Sequence, residues 1–138
     1  MSGFVLDAST ALTWCFRDEA TASSLAVLQR LDSDYAEVPA IWPLEIANIL
    51  AAAERRRRID AAGIGEFLAV IESLDIRVDG ATASRALSDI LGISRREGLT
   101  AYDAAYLDLA MREGLALATG DRALAAAAQR CGVVVIAC

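Results

Sequence analysis

Five short apolar runs, separated by stretches with helical spacing, constrain this chain more than any other feature. The runs are GFVLD (3–7), YAEVPA (35–40), DIRVDG (75–80), LALATGD (115–121) and VVVIA (133–137). The stretches between them place apolar residues three and four apart, as at Leu25, Leu28 and Leu31. Strands joined through helices cannot form tight hairpins and pair in parallel instead. The alternation therefore predicts a parallel sheet of about five strands with helices on both faces, a three-layer α/β/α fold. Punctuation agrees: Pro43 stands at the first position of a helix over WPLEIANILAAAERRRR, Asp60 caps DAAGIGEFLAVIESL, and Gly98 and Gly132 stop two later helices. At 138 residues, with no repeat, linker or low-complexity segment, the chain reads as one domain, 1–138.

Composition removes several chemistries. The chain has no histidine, which excludes histidine zinc sites, Ser-His-Asp triads and Cys-His dyads. Cys15, Cys131 and Cys138 are odd in number and lack C-x-x-C spacing, as expected of free thiols in a reducing compartment. Hydrophobic residues reach 56% and mean hydropathy +0.40, but no apolar run approaches a membrane span and the N-terminus lacks the pattern of a signal peptide. A cytoplasmic location is the expectation. A receiver domain would need a lysine near its last strands, and none is present. A haloacid-dehalogenase-like phosphatase would carry D-x-D where this chain has DAS, and no glycine-rich nucleotide loop occurs. Net charge is −6, yet all 13 basic residues are arginine, and four stand together at Arg55–Arg58. That cluster suits a solvated helix end and a phosphate- or partner-binding patch equally well.

The acids fall at informative places. Asp7 closes the first strand, Glu45 lies in the first turn after the second, and Asp121 follows the fourth. Asp103 opens the helix before the fourth strand, on the same face as Tyr106. Each has an ordinary explanation: Asp7 and Asp121 as N-caps, Glu45 as a first-turn acid, and Asp103 as the N3 half of a TAYD capping box with Thr100. Together they form a second pattern. If strands one, two and four are neighbours, the acids meet beyond the carboxyl ends of the strands, where such sheets place their sites. Asp108, about 140° further round its helix than Asp103, is expected to face water. With no lysine or histidine to offset them, clustered carboxylates need arginine or a hard cation, Mg²⁺ or Mn²⁺. Ser9, Thr10, Asn48 and Thr119 stand where they could orient carboxylates or bound water, or serve as ordinary caps.

FVLDAST, WPLEIANIL, LTAYDAAYLDLA and LATGDRALAAAA, in this order and spacing, resemble the four acidic motifs of PIN-domain ribonucleases, in particular the VapC-type toxins of bacterial toxin–antitoxin pairs. The resemblance spans nearly the whole chain. It implies a metal-dependent endoribonuclease whose acidic site is Asp7, Glu45, Asp103 and Asp121, supported by Ser9 and Thr119. In this reading Asp7, Asp103 and Asp121 hold Mg²⁺ or Mn²⁺, and Glu45 positions or deprotonates the attacking water. It also implies RNA as substrate, a homodimer, and inhibition by a cognate antitoxin whose C-terminal segment covers the site. The alternative is a PIN-like binding module whose acids are structural.

Overall fold

A computed structural model describes residues 3–138. Five strands form one all-parallel sheet in the order β3-β2-β1-β4-β5: β1 (Phe4–Leu6), β2 (Ala36–Val38), β3 (Ile76–Val78), β4 (Ala116–Thr119) and β5 (Val135–Ala137). Each strand is shorter than its apolar run because the flanking acids and glycines turn into loops. Phe4, Val5 and Leu6 of central β1 have no exposed surface, as expected where helices cover both sheet faces, whereas edge strand β3 is largely exposed.

Two helical layers provide that cover. After β1 come α1 (Ala8–Leu12), a 3₁₀ turn at Arg17–Glu19 and α2 (Ala22–Arg30). α3 (Trp42–Arg55) and α4 (Ala61–Ser73) connect β2 to β3. α5 (Thr82–Arg85), α6 (Leu91–Glu97) and α7 (Ala101–Glu113) precede β4, and α8 (Arg122–Arg130) joins β4 to β5. α1 packs on α2 and α3, while α7 packs on α6 and α8. Local chemistry sets several helix ends. Thr21 and Ser24 make a reciprocal capping box at α2, Asp60 Oδ1 accepts the Gly63 N–H at 2.8 Å, and Gly98 and Gly114 end their helices at φ 67°. The three cysteines are free thiols, and no helix among the described residues is long and apolar enough to cross a membrane.

The end of α3 departs from the glycine rule. The Arg58 N–H donates to Ala53 O at 2.9 Å and the Arg57 N–H to Glu54 O at 3.0 Å, the paired bonds of a Schellman motif. The left-handed position belongs to Arg57, at φ 60°, where a side chain costs about 1 kcal/mol relative to glycine.

The helical stretch that Gly98 stops runs from Thr82 to Glu97, with a π-helical turn at Ala86–Ile90 between α5 and α6. One expectation needs correction. Asp108 does not face water, being 4% exposed. Every residue of α7 from Ala104 to Ala110 is buried, because the sheet, α6 and α8 enclose the helix. A rotation of 140° from Asp103 therefore meets Arg85, not solvent. Arg85 Nε and Nη2 each lie 2.8 Å from an Asp108 carboxylate oxygen, and Nη2 also reaches Asp89 at 2.8 Å. Arg112 extends the network with a bidentate pair to Asp79, just beyond β3. Arg85 is partly exposed and retains Asp89, so Asp108→Ala is expected to destabilise, but by less than the loss of a partner from a fully buried pair, read as a fall in the urea midpoint at unchanged m-value.

Candidate active site

The chain winds outward from β1 through β2 to β3, then crosses to β4 and β5 on the other side. The winding reverses between β1 and β4, and in open α/β sheets the crevice opens at such a reversal, beyond the carboxyl ends of the strands. Asp7 follows β1 directly and Asp121 follows β4 by two residues, so both stand at this point.

Their positions are fixed by hydrogen bonds. Asp7, 6% exposed, accepts the Ser9 N–H on Oδ1 at 3.2 Å and the Thr119 hydroxyl on Oδ2 at 2.7 Å. Thr119 Oγ1 in turn accepts the Asp121 N–H at 3.0 Å, and Asp121 Oδ1 caps α8 by accepting the Leu124 N–H at 2.9 Å. The capping explanations of Asp7 and Asp121 thus hold, and the caps are what aim these side chains. Gly120 lets the ends of β4 and β5 approach, since a Cβ there would stand 2.9 Å from the Cys138 carbonyl oxygen.

Glu45 enters from the first turn of α3. Its Oε1 accepts the Tyr106 hydroxyl at 2.6 Å, and the same hydroxyl oxygen accepts the Ala8 N–H at 3.3 Å. Tyr106 therefore links α7, α1 and α3. On sequence alone it reads only as an apolar residue of α7. The available signal was its phenol, because a buried tyrosine hydroxyl finds a partner, and Glu45 is that partner.

Only half of the TAYD box forms. Thr100 Oγ1 accepts the Asp103 N–H at 3.1 Å, but the Asp103 carboxylate makes no hydrogen bond among the described residues. It remains half-buried beside the other acids. Burial first, then the charges of Asp121, Asp7 and Glu45, push its pKa up to about 6. Glu45 is also raised, chiefly by burial and further by Asp7, against the opposing bond from Tyr106. Burial and the bond to Glu45 raise the Tyr106 phenol well above its ordinary value.

Thr119 is thus the strongest of the supporting residues. Ser9 contributes its backbone N–H while its side chain is exposed, and Asn48 is an exposed residue of α3 with no hydrogen bond to the acids. None of the four acids is ion-paired with an arginine among the described residues. Nor is any group of three or more acid, cysteine or histidine side chains among those residues arranged to hold an ion as it stands. The donor set is nevertheless all oxygen and uncompensated, the chemistry that suits a hard divalent cation.

This is an α/β domain with carboxylates at its topological switch point. The sequence profile of the PIN domain matches residues 4–130, and the chain belongs to that family, whose members are generally nucleases. Among solved structures, PAE2754 from Pyrobaculum aerophilum superposes with a TM-score of 0.70 at 24% identity, covering 98% of this chain and 84% of that one. VapBC2 from Rickettsia felis, solved bound to a DNA fragment from its promoter, superposes at 0.66 and 14% identity, covering 96% of both chains. Both show a shared fold. No curated protein matches.

The elevated Asp103 gives a signed pH effect. A carboxyl whose folded pKa lies above its unfolded value disfavours folding once it ionises, so its contribution is lost as pH rises from about 4 through 6. In chelator, Asp103→Asn is expected to gain stability relative to the parent across that interval. The measurement is the difference in melting temperature at pH 4 and pH 7, with the larger gain at pH 7.

Proposed function

We propose that this chain is a metal-dependent endoribonuclease acting as the toxin of a toxin–antitoxin pair. The observation that carries the reading is the carboxylate cluster at the switch point, free of arginine partners among the described residues, with Asp103 pushed up to about 6 by burial and then by the charges of Asp121, Asp7 and Glu45. A purely structural set of acids would leave that repulsion unexplained.

Asp7, Asp103 and Asp121 would hold Mg²⁺ or Mn²⁺, directly or through water; the bound ion supplies an acidified water and positive charge beside the phosphoryl group. Thr119 and the Ser9 N–H keep Asp7 oriented, and the Leu124 N–H does the same for Asp121. Tyr106 fixes one oxygen of Glu45, and the other is available to accept a proton from the attacking water. The raised pKa of Glu45 makes it a stronger base than an exposed glutamate. The water oxygen bonds to phosphorus as the bond to the ribose 3′ oxygen breaks, giving a 5′-phosphate and a 3′-hydroxyl. The 2′-hydroxyl takes no part, so preference for RNA rests on binding.

The toxin role and homodimer follow from the family resemblance, and the cellular setting would be the cytoplasm. An acidic cleft suits a basic antitoxin segment. An apolar groove of about 450 Å³ between α3 and α4, lined by Trp42, Ile46, Leu50, Ile64, Leu68 and Ile71, offers a protein partner further surface.

Asparagine caps a helix about as well as aspartate, so substitution separates capping from catalysis. Asp7→Asn, Asp103→Asn and Asp121→Asn are expected to fold and to lose at least about a hundredfold in metal-dependent RNA cleavage, roughly 2.7 kcal/mol of transition-state stabilisation. Folded variants with undiminished cleavage would leave the binding-module alternative. Mn²⁺ at a hundredfold excess over Kd is expected to stabilise the parent by about 2.7 kcal/mol, measured by thermal melting. Expression alone is expected to arrest growth, with relief by the neighbouring open reading frame.

A further inference from the structure

The Arg55–Arg58 cluster is joined to the carboxylate site by one face of α3. Glu45, Ile49, Ala52 and Arg56 stand at spacings of four, three and four, a single stripe along the helix. Eleven residues separate the ends, a rise of about 16 Å. Between α1 and this stripe lies a groove of about 300 Å³. Ser9, beside Asp7, borders one end; Arg56 and Arg58 border the other; Leu12, Phe16 and Ala53 form an apolar floor.

The four arginines have different roles. Arg58 is committed: its Nη2 lies 3.3 Å from Asp18 and 3.1 Å from Glu19, and its guanidinium stacks 4.3 Å from the Phe16 ring centroid. Arg58 thereby offsets part of the charge of these two acids, of which Glu19 borders the groove. Arg55, Arg56 and Arg57 are exposed and make no side-chain hydrogen bond or ion pair among the described residues. Arg57 occupies the left-handed Schellman position at φ 60°, where glycine would be less strained. A helix end serving only to stop α3 already has Arg55 and Arg56 to complement its dipole, and adds little by placing a third arginine at the left-handed position. A site that displays cations beside Arg56 gains from it.

We propose that the groove between α1 and α3 carries the RNA strand away from the cleavage site, with Arg56 at its far end and Arg57, next to it but outside the groove lining, binding the phosphates that leave it. Guanidinium groups suit phosphate oxygens, and the apolar floor accommodates base faces. The inference rests on the nuclease reading and adds where the flanking nucleotides lie. It also gives an acidic protein a locally basic exit for an anionic polymer.

The test uses the full chain in an Asp103→Asn background, so that RNA stays intact. Fluorescence anisotropy follows binding of labelled single-stranded RNAs of ten and two nucleotides across a salt series. Arg56→Gln with Arg57→Gly is expected to weaken decamer binding about tenfold. It should flatten the salt dependence by about 1.4 in log–log slope, the value for two phosphate contacts to a single strand. The loss on the dinucleotide, too short to reach, should be several-fold smaller. Arg57→Gly alone is expected to raise the melting temperature while lowering decamer affinity, a combination that a helix-end role does not produce. In the cleaving protein the double substitution should raise KM more than it lowers kcat. Unchanged decamer affinity and slope, or an equal loss on both RNAs, overturns the proposal. So does weakened binding of poly-glutamate with RNA binding intact, which would assign the patch to an acidic protein. A parent chain that neither binds nor cuts RNA overturns the nuclease reading as well, whereas a parent that cuts RNA regardless of these arginines overturns the groove alone.

Discussion

The parallel pairing of β1 with both β2 and β4 is the constraint from which the remaining geometry follows. Parallel neighbours need crossover segments, and helices in those crossovers bury both faces of the strand between them. Phe4, Val5 and Leu6 are accordingly sealed from solvent. Because the crossovers lead away from β1 on one side and from β4 on the other, their diverging helices leave a crevice at the carboxyl ends of these two strands. The residues next in sequence, Asp7 and the Thr119–Asp121 segment, have no other place to emerge.

Within that crevice, stability and chemistry share the same atoms. Asp7 and Asp121 satisfy helix N-termini, and in doing so their carboxylates are oriented before any ligand arrives. Asp103 is the exception: its backbone takes the Thr100 cap while its carboxylate has no donor among the described residues. The half-formed box separates what a cap requires from what is left over for other work. Arg85, Asp108, Arg112 and Asp79 are the counterpart, charges of both signs paired where α7 is enclosed. One helix thus carries an unpaired acid at its start and a paired acid five residues later.

The architecture was legible because alternation of apolar runs and helical spacing is a local property, and the four acids stand next to strand ends or helix starts that the same pattern reveals. What was less legible depends on neighbours remote in sequence. Asp108 reads as solvent-facing from the periodicity of α7 alone; its burial comes from the packing of α6, α8 and the sheet, and its partner Arg85 is 23 residues away. Tyr106 reads as core, and its hydroxyl acquires a role only when α3 brings Glu45, 61 residues distant, within 2.6 Å. Asn48 stands one turn from Glu45, yet its position on α3 leaves it exposed. The π-turn at Ala86–Ile90 has no marker in the residue pattern that separates it from ordinary helix.

A chain without histidine or lysine also has an unusually simple proton inventory. Arginine stays charged throughout the range in which proteins work, and burial raises the thiols of Cys15 and Cys138. Near pH 6 the side chains that exchange protons are therefore acids, and Asp103 is poised there by its surroundings. Any cation that settles among these carboxylates must displace the proton Asp103 retains. Calorimetry in buffers of differing ionisation enthalpy would register that displacement with no imidazole background, making the protein its own indicator of cation capture.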